Sequence, residues 1–181
     1  MKGPHKGRYV PGWLVANTED AVVAKDFLAD AVARNLVIPQ TTHADRGGSM
    51  TSKTVSEMMI DLGICHSRPR TSNDKPFSEA QFKTLKYVPD FPDRFGSLAD
   101  ARAFCDRFFP AYNHEHRHSG IGMHTPASVH FGTATDIRAR LQATLDRAHA
   151  QHPERFSCRP RPPHLPEQAW INQPTQHEPT Q

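Results

Sequence analysis

Cysteine is scarce in this chain: Cys65, Cys105 and Cys158 are far apart, odd in number and without a Cys-x-x-Cys pair. Such a set excludes a full disulfide framework and a zinc-cysteine site, and it predicts reduced thiols in a cytoplasmic protein. Long apolar runs are lacking as well. The opening Met1-Lys2-Gly3-Pro4-His5-Lys6 has no apolar core of the signal-peptide kind, and no later stretch approaches the length of a membrane span, so a soluble, unexported protein without a membrane partner is expected. Neither sign of charge is in large excess, since 22 Lys and Arg face 19 Asp and Glu, with 12 His beside them. The resulting +3 is compatible with a polyanionic partner and does not by itself identify one. Internal repeats are absent, which excludes a solenoid. No acidic residue precedes Glu19.

With 181 residues there is room for one domain with a core, plus appendages. Arg8 to Ala16, with Tyr9, Val10, Trp13, Leu14 and Val15, reads as a strand that Pro11 demotes to an edge or a bulge, because proline has no N–H for the ladder. Thr18 is the expected N-cap of the next element. Glu19 and Asp20 suit the positive end of a helix dipole, and Val22, Val23, Phe27, Leu28, Ala31 and Val32 recur on one face of a helix. An extended piece then ends at Asp45, and Gly47-Gly48 permits a tight turn into a second helix from Thr51 or Ser52. Val55, Met58, Met59 and Leu62 form its apolar face, and Gly63 ends it. Ile64 to Ser67 reads as a short buried strand, and Arg68 to Lys75 as a loop. Asp74 caps the following helix, which has Pro76 in its first turn and packs through Phe82 and Leu85. Ser97 with Asp100 opens another amphipathic helix that buries Leu98, Ala101, Phe104, Phe108 and Phe109, and Pro110 is expected to kink or stop it. Tyr112 to Met123 reads as a polar, His-rich connection. Thr125-Pro126 starts a short helix closed by Gly132, and Ile137, Leu141, Leu145 and Ala148 mark a last helix that also carries Arg138, Arg140 and Arg147. From Pro153 onward lie seven of the 16 prolines, so an extended, largely disordered tail is expected.

Two carboxylates stand out by their surroundings. Asp45 sits in His43-Ala44-Asp45-Arg46-Gly47-Gly48-Ser49, and Glu79 opens a helical stripe completed by Lys83 and Lys86 at i+4 and i+7. Carboxylates from separate elements set among cations fit metal-assisted chemistry on phosphates, in which about two divalent ions activate the attacking oxygen and stabilise the leaving one. The plainer alternative is an exposed turn aspartate and a surface glutamate paired with Lys83. The loop Arg68-Pro69-Arg70-Thr71-Ser72-Asn73-Asp74 adds guanidinium, hydroxyl and amide groups suited to the phosphates of DNA or RNA. His114, His116 and His118 alternate, with His124 nearby. Their spacing fits no common zinc pattern, so surface and helix-end positions are expected, and a His-loop metal protein is the weaker alternative. Cys65 and His66 are adjacent on a strand and point to opposite faces, which disfavours a thiol nucleophile.

Several ordered segments together resemble a known family: His43-Ala44-Asp45-Arg46-Gly47, Ser67-Arg68-Pro69, Ser72-Asn73-Asp74, Pro76-Phe77-Ser78-Glu79-Ala80-Gln81-Phe82-Lys83-Thr84-Leu85-Lys86, and Tyr112-Asn113 through His116-Arg117-His118 to Thr125-Pro126. They are similar to the integrase core of bacterial insertion-sequence transposases of the DDE class, related to retroviral integrases. The resemblance covers roughly residues 7 to 132, with a weaker extension to about 172. It implies an α/β, ribonuclease H-like fold, a mixed sheet flanked by helices, with an acidic triad binding two Mg²⁺ or Mn²⁺ ions. Asp45 matches the second acid and Glu79 the third, Lys83 and Lys86 line the DNA, and phosphodiester cleavage is followed by strand transfer.

This chain departs from that pattern at its start. Gly7-Arg8-Tyr9-x-x-Gly12-Trp13 resembles the segment that follows the first acid, and counting back from it lands on Pro4. The first strand is therefore expected to be missing, and the chain reads as N-terminally truncated. The spacing of 33 residues between Asp45 and Glu79 is also slightly shorter than usual for the family. The sequence therefore predicts an incomplete catalytic core over 7–132, a C-terminal helix over 133–152 and a proline-rich tail over 153–181. It predicts DNA as partner, with self-association or pairing with an intact transposase through an exposed sheet edge. Transposition chemistry is the ancestral activity and is expected to be lost in this chain. The alternative from another class is a non-enzymatic nucleic-acid-binding or transposase-interfering protein.

Overall fold

A computed structural model describes residues 7–44, 47–67 and 76–166. The elements in order are α1 (Ala21–Asn35), β1 (Thr41–His43), α2 (Lys53–Asp61), β2 (Cys65–Ser67), α3 (Pro76–Lys86), α4 (Leu98–His114), α5 (Pro126–His130) and α6 (Ala134–Gln151), with 3₁₀ turns at Ser119–Ile121 and Pro153–Arg155. Helices with a small parallel sheet bear out the α/β expectation. The described chain forms two compact units, one of residues 11–107 and one of residues 7–10 with 108–166, the division falling within α4.

In the first unit the core is built around α2. Ser52 caps this helix by accepting the Val55 N–H at 3.3 Å. Val55 and Met59, one turn apart, are fully buried, and with Ile64 they form the core on which Ala24, Leu28, Met50 and Leu62 pack. Gly63 ends the helix with φ +68°. The Ile64 N–H reaches the Met59 carbonyl at 2.8 Å and the Gly63 N–H reaches Ile60 at 3.0 Å, a Schellman closure whose accompanying apolar contact is the Met59–Ile64 pair of the core. Closure delivers the chain directly into β2, which pairs parallel with β1 in the register Thr41–Cys65, Thr42–His66 and His43–Ser67. Thr42 lies on the covered side of the sheet, its hydroxyl 3.7 Å from the Met59 sulfur, while Thr41 and His43 are exposed.

Some expectations fail within this unit. Arg8 to Ala16 forms no strand. Its later part instead runs against α1 and α4: the Asn35 amide donates to the Pro11 carbonyl at 2.8 Å, and the Arg102 guanidinium to the Val15 carbonyl at 3.1 Å. A Cβ on Gly12 would meet Ala31 and Phe27 at 3.2 Å, which explains the glycine there. The cap of α1 is Asp20 rather than Thr18, accepting from Val22 at 2.6 Å and Val23 at 3.4 Å, because a carboxylate one residue from the helix reaches the free N–H groups that Thr18 is too far back to meet. Phe82 is exposed instead of packed. Ser97 does cap α4, accepting the Asp100 N–H at 3.1 Å, and Phe104 is buried in an edge-to-face trio with Phe91 and Phe95.

In the second unit α4 runs through Pro110 to His114, so the proline does not stop it. Asn113, buried near the end of that helix, exchanges two hydrogen bonds with the Val10 backbone: the Val10 N–H donates at 2.9 Å and the Asn113 amide donates back at 3.0 Å. Tyr9 stacks on His130. Thr125 caps α5 by accepting the Ser128 N–H, with Pro126 at the first helical position. The part of the expected disordered tail that is described, 153–166, returns along one stripe of α6. Arg159 meets Asp146 at 3.0 Å, Gln142 donates to the Pro160 carbonyl at 3.2 Å, and Arg138 donates to the Pro163 carbonyl at 3.4 Å. Prolines fit such a strap because they hold it extended without needing ladder bonds.

Candidate functional site

The parallel pairing of β1 and β2 places the C-terminal ends of both strands at one end of the sheet. There the Ala44 N–H donates to the Ser67 carbonyl at 3.3 Å, and His43 Nδ1 lies 3.1 Å from Ser67 Oγ. Ala44 immediately precedes Asp45 in sequence, and Ser67 immediately precedes Arg68. Asp45, Arg68 and Arg70 themselves lie outside the described residues. The carboxyl ends of parallel strands are where α/β folds place ligands, and the two candidate loops start from a single hydrogen-bonded pair of residues.

Beyond Asp45 the chain turns tightly. The Thr51 N–H and hydroxyl both donate to the Gly47 carbonyl, at 3.1 and 3.0 Å, and Ser52 donates to Ser49 at 3.3 Å. The Ser49 hydroxyl donates to Glu19 Oε1 at 2.7 Å. A carboxylate that sequence spacing relegates to a helix start is thus held against the turn following Asp45. Only the fold reveals this, because 30 residues separate the two partners.

Glu79 lies in the first turn of α3, with Lys83 and Lys86 in its last turn, all three exposed. The simple surface pairing of Glu79 with Lys83 is not formed: among the described residues neither belongs to an ion pair. Glu79 is a hard oxygen donor of the kind Mg²⁺ or Mn²⁺ takes. Among the described residues, however, no three His, Cys, Asp or Glu side chains converge where a metal could sit. The described residues alone do not amount to a divalent-metal site.

The expectation of surface and helix-end histidines holds for His114, the last residue of α4, and His116, and fails for His118 and His124. His114 and His116 are exposed, while His118 and His124 are buried, 8% and 2% exposed. They close a tight turn: His118 donates its N–H to the His124 carbonyl at 3.1 Å, and Met123 donates to the His118 carbonyl at 2.9 Å. Gly122 and Met123 at the turn both have positive φ, +65° and +59°. The His118 ring meets Tyr112 and His116 edge-on, and its Nε2 is buried without a hydrogen-bond partner among the described residues. Burial, and then the neighbouring His116 and Arg8, hold its pKa down at about 4. Burial also lowers His124, helped by Arg117 and Arg138. Both rings are neutral turn-formers. Tyr112 of α4 meets the His118 ring, and the strap approaches the turn at Gly122, contacts beyond the reach of a spacing argument.

Residues 61–126 match the family model of the integrase core domain, a stretch that contains β2, α3 with Glu79, α4 and the histidine turn. Asp45 precedes the matched stretch. Among curated proteins, none matches the chain. No helix among the described residues is long and apolar enough to cross a membrane.

Proposed function

We propose that this chain derives from a DDE transposase core, of bacterial insertion-sequence origin and ribonuclease H-like fold, and that these residues bind DNA and do not cleave it by themselves. The observation that carries this reading is the integrase-core match over 61–126, with Glu79 in the first turn of a helix as the third acid of such a core requires. The parallel β1–α2–β2 unit ahead of that helix supports it, since its strand ends lead into Asp45 and the Arg68–Arg70 loop. Asp45 and Glu79 take the roles of second and third acid, with Mg²⁺ or Mn²⁺ as the ion they would share. Arg68, Arg70, Lys83 and Lys86 contact the DNA backbone. Pro4 stands where the first acid belongs, so the ligand set within these residues is short of one carboxylate.

The test is a labelled duplex assayed for binding and for nicking, with Mg²⁺ and with Mn²⁺. The expected result is salt-dependent binding without metal-dependent nicking. Nicking that disappears in an Asp45→Asn or Glu79→Gln variant would overturn the loss of activity, and absence of binding at low salt would overturn the DNA reading. A second reading, a non-enzymatic protein that pairs with an intact transposase, is favoured by the sheet. Among the described residues it has two strands, so the outer backbone groups of β1 and β2 have no ladder partner. Co-purification with an intact core domain, abolished when proline replaces Thr41, would support that pairing.

A further inference from the structure

Charge is divided unevenly along this chain. Residues 7–10 with 108–166 contain eight arginines, no lysine and four carboxylates, whereas residues 11–107 contain twelve cations and thirteen carboxylates. The near-neutral total conceals a basic unit, and every cation in it is arginine, the side chain whose planar fork suits phosphate oxygens. Part of that charge gathers at the histidine turn. A Cβ on Gly120 would lie 3.1 Å from an Nη of Arg8, so that guanidinium rests on the turn. Arg117 donates to the Met123 carbonyl at 3.4 Å, and Arg138 of α6 donates at 3.4 Å to the Pro163 carbonyl of the strap, whose next residue, His164, presses its carbonyl on Gly122. Arg117 and Arg138 thus bond backbone carbonyls, and among the described residues neither pairs with a carboxylate; both are exposed.

We propose that the turn 118–124, with Arg8, Arg117 and Arg138 around it, is a phosphate-backbone contact for duplex DNA, separate from Arg68, Arg70, Lys83 and Lys86. The proposal rests on the DNA-binding reading above and adds a second contact to it. The turn offers what backbone recognition needs. Its geometry is fixed by five backbone bonds within residues 118–124 and by the buried His118 and His124, and its outer residues Ser119 and Gly120 are small and exposed. Burial is the main cause of the lowered pKa of both histidines, and the neighbouring cations, Arg8 at His118 and Arg117 with Arg138 at His124, add to it.

The test uses the full chain and a fluorescein-labelled duplex of arbitrary sequence, with anisotropy measured across a salt series. Arg117→Gln/Arg138→Gln is expected to weaken binding by about tenfold or more at moderate salt. It should also reduce the slope of log affinity against log salt by about 2, roughly 0.9 for each phosphate no longer neutralised. Arg117→Lys/Arg138→Lys should keep the slope. Wild-type affinity and slope in the Gln pair, with weakened binding in Lys83→Gln/Lys86→Gln, would overturn this contact and leave the DNA reading standing. Reduced affinity with unchanged slope that lysine does not restore would mark the arginines as structural and overturn it as well. A wild-type chain that fails to bind the duplex at low salt would remove the DNA reading, and this proposal with it.

Discussion

Acidification should weaken the second unit through His118. Its ring is neutral in the fold, with a pKa near 4, and takes up a proton near 6.5 once the chain unfolds. Between those values the unfolded state binds more protons than the folded one, so stability rises with pH across this window. The contribution is fully present above pH 6.5 and is lost as pH falls toward 4. The whole interval corresponds to about 3 kcal/mol at 1.36 kcal/mol per unit, and relaxation of the site with water reaching the charged ring reduces this to about 1–2 kcal/mol. The measurement is urea unfolding at pH 7.5, 6.0 and 4.5 on the wild type and on His118→Gln, which cannot titrate. The variant should be less stable at neutral pH, because an amide loses the ring contacts with Tyr112 and His116, and its deficit should shrink as pH falls. Carboxylates contribute equally to both profiles and cancel in the difference. Two profiles that stay parallel from pH 7.5 to 4.5, or a His118 ring proton that titrates near pH 6.5 in NMR, would refute the reasoning.

Four substitutions test the packing. Met59→Ala should cost about 2–4 kcal/mol in denaturant unfolding, since a buried side chain is cut back in a small core, while Ile60→Ala, one residue on and 76% exposed, should stay within about 0.5 kcal/mol. Equal costs for the two would contradict the assignment of the helix face. Gly122→Ala places a Cβ 2.6 Å from the His164 carbonyl on a residue with φ +65°, and should destabilise by about 1–3 kcal/mol. Hydrogen exchange at residues 161, 164 and 165 should accelerate with it, and unchanged exchange would show that the strap does not depend on that approach. Asn113→Leu removes both bonds to Val10 and leaves its N–H and C=O half-buried and unmet, a loss of about 2–3 kcal/mol by urea unfolding. A change below about 0.5 kcal/mol would mean that water replaces the amide without cost.

The sequence was legible where one local rule governed the outcome. Ser52, Ser97 and Thr125 cap helices because each hydroxyl meets an N–H three residues on, and Gly63 ends α2 because only a positive φ lets Ile64 reach back to Met59. Asp45 and Glu79 stood out by their company of cations, although Asp45 lies outside the described residues and its meeting with Glu79 rests on the family resemblance. What stayed hidden depends on partners far along the chain. The Glu19–Ser49 bond spans 30 positions, and the turn that buries His118 and His124 is met by Tyr112 at the His118 ring and by His164 at Gly122. Alternating histidines carry no spacing signal that distinguishes a buried turn from a solvated loop.

Near its end α4 runs on through Pro110, residues 8–16 form no strand, and one set of contacts explains both. Pro110 has no N–H for the Asp106 carbonyl, and a helix interior loses about 3 kcal/mol by such a substitution. Asp106 is exposed, so water can take the orphaned carbonyl. Continuing the helix buries Tyr112 to 3% exposure, worth about 2 kcal/mol, and positions Asn113 to bond Val10 twice, about 1 kcal/mol for each bond. The gain offsets the proline. The same two bonds occupy the Val10 N–H and C=O that a strand would have offered to a neighbour. Residues 8–16 therefore have a strand's composition and a helix-end amide for a partner: tertiary contact, which no window of local sequence contains, decides both the length of α4 and the absence of that strand.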